Sequence, residues 1–526
     1  MAAPSSQPSA IELREPLLED YSPSDHLLLE DDEKIGLTPT QPAHVRLISI
    51  VLDALKNVSP NVLKPSFLRA ANASAKRPTN SLAALDGLRG LACLCVLNQH
   101  YSQIYSDRNF LYGWLAQPTD VYLPEFPFVK VLWSGSAQVF TFFVLSGYVL
   151  SIKPLRQMRS QSPEIQKTLT SSIFRRGMRL FIPSCAILVV VAIIAQAGIY
   201  IPAQEALSQG LVAAPENVVL PKPAFIDMLH DLWGDFRGLT NMWSWSTYAP
   251  TLNQHLWTIG IEFRASMLLY LMQAGTCRLK AWIRILIGLC ILFYCASTAQ
   301  DHVLLFFAGM ILAELDLAYL THYEARSDTA LAWAPTNSVS VLESIARHFH
   351  PKSRSFRLWQ LVLFATGLYL MSAPMRGAEA TPGYVWLCQW TIPFWYHSEF
   401  RSYWFWTIGA LLLLHTAVHS PNIRVIYTNR FARYAGKISY AMYLVHGPIL
   451  HAVAYGLLPF WQSITQPVGG RTTQLGFTLQ WLLGAGVACP LIVYFADLVH
   501  RLLDMPSVQL ARACEEWFED PRWRDR

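Results

Sequence analysis

The chain has 526 residues, of which 52% are hydrophobic and only 15% charged, against roughly 25% charged in an average soluble domain. Its net charge of +5 is modest, and no basic stretch with interleaved aromatics sits in a soluble segment, so no nucleic-acid partner is indicated. The nine cysteines show no C-x-x-C spacing; Cys93, Cys95, Cys185, Cys290, Cys295 and Cys489 lie in apolar runs and read as small buried hydrophobes, which gives no support to a disulfide framework.

Residues 1–80 are rich in Pro, Ser and charge, with an acidic run from Glu30 to Glu33. They lack the basic start, apolar centre and small-residue cleavage site of a secretory signal. The composition predicts a disordered cytosolic tail, with a short amphipathic stretch near Val45 to Leu55 suited to a membrane surface. Asn57 and Asn72 match the glycosylation pattern but fall in this tail, so no glycan is expected.

From residue 81 the character changes. A spanning helix needs about 20 predominantly apolar residues, and ten segments qualify, near 85–103, 134–152, 180–201, 255–274, 282–298, 302–320, 357–374, 402–420, 438–460 and 475–500. The expectation is an all-α, polytopic integral membrane protein of about ten transmembrane helices over residues 81–506, with a cytosolic tail over 507–526. The loops test it. Lys153, Arg156, Arg159, Lys167, Arg175 and Arg176 crowd the second loop, and Arg424, Arg430, Arg433 and Lys437 the eighth, while the odd loops are poorer in Lys and Arg. The alternation predicts both termini in the cytosol and the third loop, about 202–254, in the lumen or outside. An endomembrane (ER or Golgi) or the plasma membrane is the default location.

Charges within a membrane helix cost at least ~2.5–3.5 kcal/mol each on insertion scales, so a span that keeps several usually has a use for them. The first segment carries Asp86, Arg89 and His100. Eleven residues at ~100° each return Arg89 and His100 close to one face, about 16 Å apart along the axis. Gly87 and Gly90 allow a backbone or ligand to approach. A structural Asp86–Arg89 pair with an interfacial histidine is the plainer alternative.

Further motifs follow in order: Phe142 to Tyr148 (FFVLSGY), Phe174 to Pro183 (FRRGMRLFIP), Leu256 to Phe263 (LWTIGIEF) and Ile438 to Pro448 (ISYAMYLVHGP). Together with Leu85 to His100, these blocks resemble those of the membrane-bound acyltransferase 3 family, over residues 81 to about 506, and the long polar N-terminus resembles its fungal members. Arg264 after Phe263 and the ending Leu503-Asp504-Met505-Pro506 depart from the common pattern and leave the acceptor unassigned. The resemblance implies an O-acyltransferase that moves an acyl group, acetyl by default, from acyl-CoA to a hydroxyl of a sugar, lipid or secondary metabolite.

The residues fit that chemistry. A hydroxyl acceptor needs a base, and imidazole titrates near working pH. His100 is the candidate, either as general base or through a transient acyl-imidazole. The donor's phosphates need cations, and Arg89, Arg175, Arg176 and Arg179 fall at the predicted cytosolic face, where guanidinium groups bind phosphate bidentately. Ordinary positive-inside charge is the alternative for residues 175–179. Glu262 is a second catalytic candidate, to orient His100 or help activate the acceptor, and His255 lies seven residues before it. Ser439, Tyr443 and His446 share one face at i, i+4 and i+7. Asp86, His255, Tyr443 and His446 are candidates for binding substrate, with interhelical hydrogen bonding as the alternative. His415 and His419 are spaced like a zinc pair, but Thr416 replaces the Glu of a zinc-hydrolase helix, so no metal is expected. Asp316 and Asp497 read as structural. No permanently bound cofactor is expected; acyl-CoA is a substrate and the lipid bilayer a partner. A membrane transporter without acyl transfer is the competing class, but the chain shows no internal repeat.

Overall fold

Long apolar runs with few breakers leave the backbone one way to satisfy its polar groups in a membrane, the α-helix. The computed structural model describes residues 81–116, 122–330, 354–390 and 401–520, and every regular element among them is helical. The N-terminal tail, its amphipathic stretch, Asn57 and Asn72 lie outside the described residues.

Each of the ten expected segments coincides with a helix. In chain order these are α1 (Ser81–Gln103), α2 (Gly135–Arg159), α3 (Ile165–Gln196), α6 (Trp257–Thr276), α7 (Ala281–Ser297), α8 (Asp301–Ala330), α9 (Arg354–Met371), α10 (Arg401–His419), α12 (Arg430–Ile449) and α14 (Gln474–Val499). Shorter helices join them: α4 (Ile201–Ser208), α5 (Phe225–Thr240), α11 (Pro421–Thr428), α13 (Leu458–Thr465) and α15 (Met505–Phe518). Helix starts follow local chemistry. Ser420 before Pro421, Asn429 and Thr473 each accept a backbone N–H from the first turn of α11, α12 and α14, as N-cap side chains do.

By length and composition, four stretches are fit to cross a membrane: α1, α2, α3 and the run Gln474–Phe518. The pair Arg430–Tyr455 and Leu458–Val468, bent by 42°, raises this to as many as five. The other expected spans are not among these; α7, with 17 residues, is a shorter apolar helix. The regular elements of the described residues are all helical, and the protein is a membrane protein. One further difference concerns the expected tail after residue 506: up to Phe518 it is helical, and Glu515 of α15 pairs with Arg175 of α3 at 3.1 Å.

The helix α1 runs through the middle of the packing. Its first half belongs to an apolar cluster shared with α2, α6, α8 and α10, and its second half to one shared with α3, α12 and α14. Contact between α1 and α12 is backbone to backbone: a Cβ on Gly436 would lie 2.7 Å from the Asp86 carbonyl carbon, and one on Gly90 2.8 Å from that of Ala435. Only glycine permits that approach. It brings the polar ends of the two helices together.

Candidate active site

Five polar side chains from five segments converge at the C-terminal end of α1. His100 comes from the last turn of α1. His255 comes from a short turn, Gln254–Leu256, just before α6. Two anchors hold that turn. The Asp235 carboxylate of α5 accepts the backbone N–H groups of Thr251 and Leu252, both at 2.8 Å, and the Asn253 amide donates to the Leu444 carbonyl of α12 at 3.2 Å. His446 comes from α12, and His451 from a π-turn, Leu450–Tyr455, that follows it. Such turns rotate a side chain off the regular helical face and recur at functional sites. Glu216 comes from the segment between α4 and α5.

Glu216 is the hub. Its Oε1 lies 3.3 Å from His100 Nδ1 and 3.3 Å from His255 Nε2, and its Oε2 lies 3.0 Å from His451 Nε2. His100 Nδ1 and His255 Nε2 are 3.3 Å apart, and the His446 ring sits 4.5 Å from His255 and 5.2 Å from His100, centroid to centroid. Burial works against a charge on Glu216, yet the attraction of His255 and the hydrogen bonds of the three imidazoles hold its carboxyl well below the usual carboxylate range. An ionised carboxylate only accepts, so the nitrogen of His100 that faces it carries the proton. Its Nε2 is then a lone pair with no hydrogen-bond partner among the described residues, on a side chain 23% exposed. His446 Nδ1 donates to the Tyr443 carbonyl at 2.7 Å, which leaves His446 Nε2 buried without a partner among the described residues. The Tyr443 hydroxyl bonds Thr258 Oγ1 at 2.8 Å and donates to the His255 carbonyl. Such a cluster can withdraw a proton from a hydroxyl and hold it.

His100, His255, Tyr443 and His446 are therefore brought together. Glu262 is not with them. Expected to orient His100, it instead accepts from Arg176 Nη2 at 2.7 Å and Ser146 Oγ at 3.3 Å, and shares no hydrogen bond or ion pair with His100. Arg176 also donates to Ser266 at 3.0 Å. The rise of the helix explains this: at ~1.5 Å per residue, Glu262 lies about 10 Å along from His255, level with Arg176 of α3 and Ser146 of α2. The other expected phosphate ligands are largely engaged too. Arg89 pairs with Asp86 at 3.5 Å and Arg175 with Glu515, while Arg179 makes no ion pair with a described residue.

Among the described residues, two groups of side chains have the donor set and spacing for a metal ion: His100, His255 and His446, and Asp316, His415 and His419. In the second, the acid that sequence spacing could not supply arrives from α8. His419 Nε2 meets Asp316 Oδ1 at 2.9 Å, Tyr148 donates to Asp316 Oδ2 at 2.9 Å, and Gln360 caps His415 at 3.3 Å. Glu216 and His451 are the cluster members that sequence reasoning missed. His451 carried a signal, an ionisable residue inside an expected span; Glu216, in a loop, carried none.

A profile of the acyltransferase 3 family, described as an acyltransferase domain, matches residues 82–497. Three curated fungal proteins are similar along most of their length. O-acetyltransferase PaAT-1 of Phomopsis amygdali is 29% identical over 86% of this chain and 87% of its own. Acyltransferase R4 of a Phoma species is 26% identical over 82% and 95%, and acyltransferase clz18 of Cochliobolus lunatus 26% identical over 81% and 93%. No solved structure matches the chain. With its motif blocks in order and the family profile spanning most of its length, the chain belongs to the acyltransferase 3 family and is an acyltransferase enzyme.

Proposed function

We propose that the enzyme moves an acetyl group from acetyl-CoA to a hydroxyl of a sugar, lipid or small metabolite, with His100 as general base. The observation that carries this reading is a partly exposed imidazole whose one nitrogen meets a carboxylate while the other has no hydrogen-bond partner among the described residues. The acceptor oxygen attacks the thioester carbonyl as His100 Nε2 takes its proton. The tetrahedral intermediate collapses with cleavage of the carbon–sulfur bond, and the thiolate of CoA recovers the proton from the imidazolium. Imidazole suits both transfers near neutral pH. The acetyl choice leans on the printed name of one relative, an O-acetyltransferase.

In this reading the donor's phosphates rest at the cytosolic side, where, among the described residues, Arg179 has no ion-pair partner and Arg89 pairs with Asp86 alone, at 3.5 Å. The thioester arm runs inward along α1 toward His100. Arg175 and Arg176 would have to exchange Glu515 and Glu262 for phosphate. Family membership favours chemistry over transport without it.

The test uses purified protein in detergent, radiolabelled acetyl-CoA and a panel of hydroxyl acceptors. His100→Ala is expected to lower transfer by about 10²–10⁴-fold, the usual worth of a general base. Arg89→Ala is expected to act mainly through the KM for acetyl-CoA. Full turnover in His100→Ala would end this assignment.

A further inference from the structure

The segment that carries Glu216 is built to hold it in place. The backbone N–H groups of Ala213 and Ala214 donate to the carbonyls of Ile104 and Gln103, at 3.0 and 3.1 Å, just beyond His100. Arg471 donates to the Leu211 carbonyl, and Gln196 exchanges two hydrogen bonds with Lys222, at 2.9 and 3.0 Å. A loop tied at three points thus delivers a carboxylate, 15% exposed, into a cluster of imidazoles. The groups facing it are His100 from α1, His255 from the turn before α6 and His451 from the π-turn, with Tyr455 beyond at 5.1 Å from His451, ring to ring. Taking a carboxylate out of water is costly unless it is paired and hydrogen-bonded. His255 and His451 would suffice as clamps for the loop. The contact to His100 Nδ1 has a chemical consequence they lack.

We infer that Glu216 is a positioning residue: by accepting the Nδ1 proton of His100 it fixes the tautomer that presents Nε2 as the base, so that docking of the segment between α4 and α5 completes the reaction centre. The inference rests on the reading of His100 as the base. A carboxylate behind the imidazole also favours the imidazolium that forms when the acceptor gives up its proton, as in hydrolase triads. Neither sequence motif nor helical periodicity points to this residue, since it reaches the site only through loop docking.

The test reads His100 directly. Full-length protein in detergent is treated with diethyl pyrocarbonate, which acylates the unprotonated imidazole nitrogen, and modification of His100 is followed by mass spectrometry across pH. In Glu216→Gln, which keeps size and loses charge, the midpoint of His100 modification should fall by about one pH unit. Glu216→Asp, which keeps the charge, should hold the wild-type midpoint. In acetyl transfer, Glu216→Gln should lose on the order of 10²–10⁴-fold in kcat, with the KM for acetyl-CoA within about twofold of wild type. An unchanged midpoint overturns the inference, as does failure of both variants to fold, because either makes Glu216 a clamp alone. The three atoms at 3.3 Å also match the ligand separations of a tetrahedral metal site with bonds of about 2.0–2.1 Å. Activity abolished by EDTA and restored by zinc would overturn the inference in favour of metal ligation. If His100→Ala keeps full turnover while the midpoint still falls in Glu216→Gln, the base assignment fails and the positioning contact stands.

Discussion

Gly447→Ala offers the sharpest check on the packing of the site, because two effects of known size oppose each other there. In the interior of a helix such as α12, alanine is favoured over glycine by about 1 kcal/mol, so an unconstrained position would be stabilised. Here the new methyl would run into His255 Nδ1 and would lie 2.8 Å from His255 Cε1 and 3.3 Å from Asn253 Oδ1. The ring cannot swing aside freely. Its backbone carbonyl is held by Tyr443, and the preceding chain by Asp235. Overpacking of this kind costs about 1–3 kcal/mol, which outweighs the helical gain over most of that range. Relief requires a shift of about 1 Å to restore ordinary carbon–nitrogen contact. Such a shift moves His255 Nε2 off both His100 and Glu216, and a displacement of this size costs on the order of 10²-fold in rate. Thermal unfolding in detergent should show a lowered Tm, and acetyl transfer a lowered kcat with little change in the KM for acetyl-CoA. A raised Tm with wild-type turnover would refute the reasoning, because it would mean that His255 does not pack against Gly447.

The pair Arg176–Glu262 makes a second case. Removing one partner strands a partly buried charge, so Arg176→Met and Glu262→Gln should each destabilise, whereas the double variant should recover part of the loss in a thermal-melt cycle. Simple additivity would show that the 2.7 Å contact carries no coupling. Glu216 gives a dependence on pH. Its folded-state pKa is depressed, so its contribution to stability is fully present above the unfolded value of about 4.3 and is lost as pH falls through the lower, folded value. The Tm advantage of wild type over Glu216→Gln should therefore be full at neutral pH and shrink under strong acid; an advantage that grows with acidification would contradict the sign.

Much of this protein was legible in its residues alone. The apolar runs placed every long helix, because a backbone without water must bond within its own segment, and hydropathy is local. The same locality made His100, Tyr443 and His446 visible: ionisable or polar groups in such runs are costly and stand out, and the motif blocks marked them. What sequence could not supply was which distant groups meet. Arg176 and Glu262 are separated by 86 positions and His100 and Glu216 by 116, and no periodicity links them. Glu262 of α6, the expected partner of His100, lies about 10 Å further along that helix than His255 and meets Arg176 and Ser146 instead. His451 entered the cluster through a π-turn that regular 3.6-residue spacing does not anticipate. Helix positions follow from the solvation of each segment by itself; the polar cluster exists only once glycine-mediated approach of α1 and α12 and the docking of a loop bring separate segments within hydrogen-bond reach.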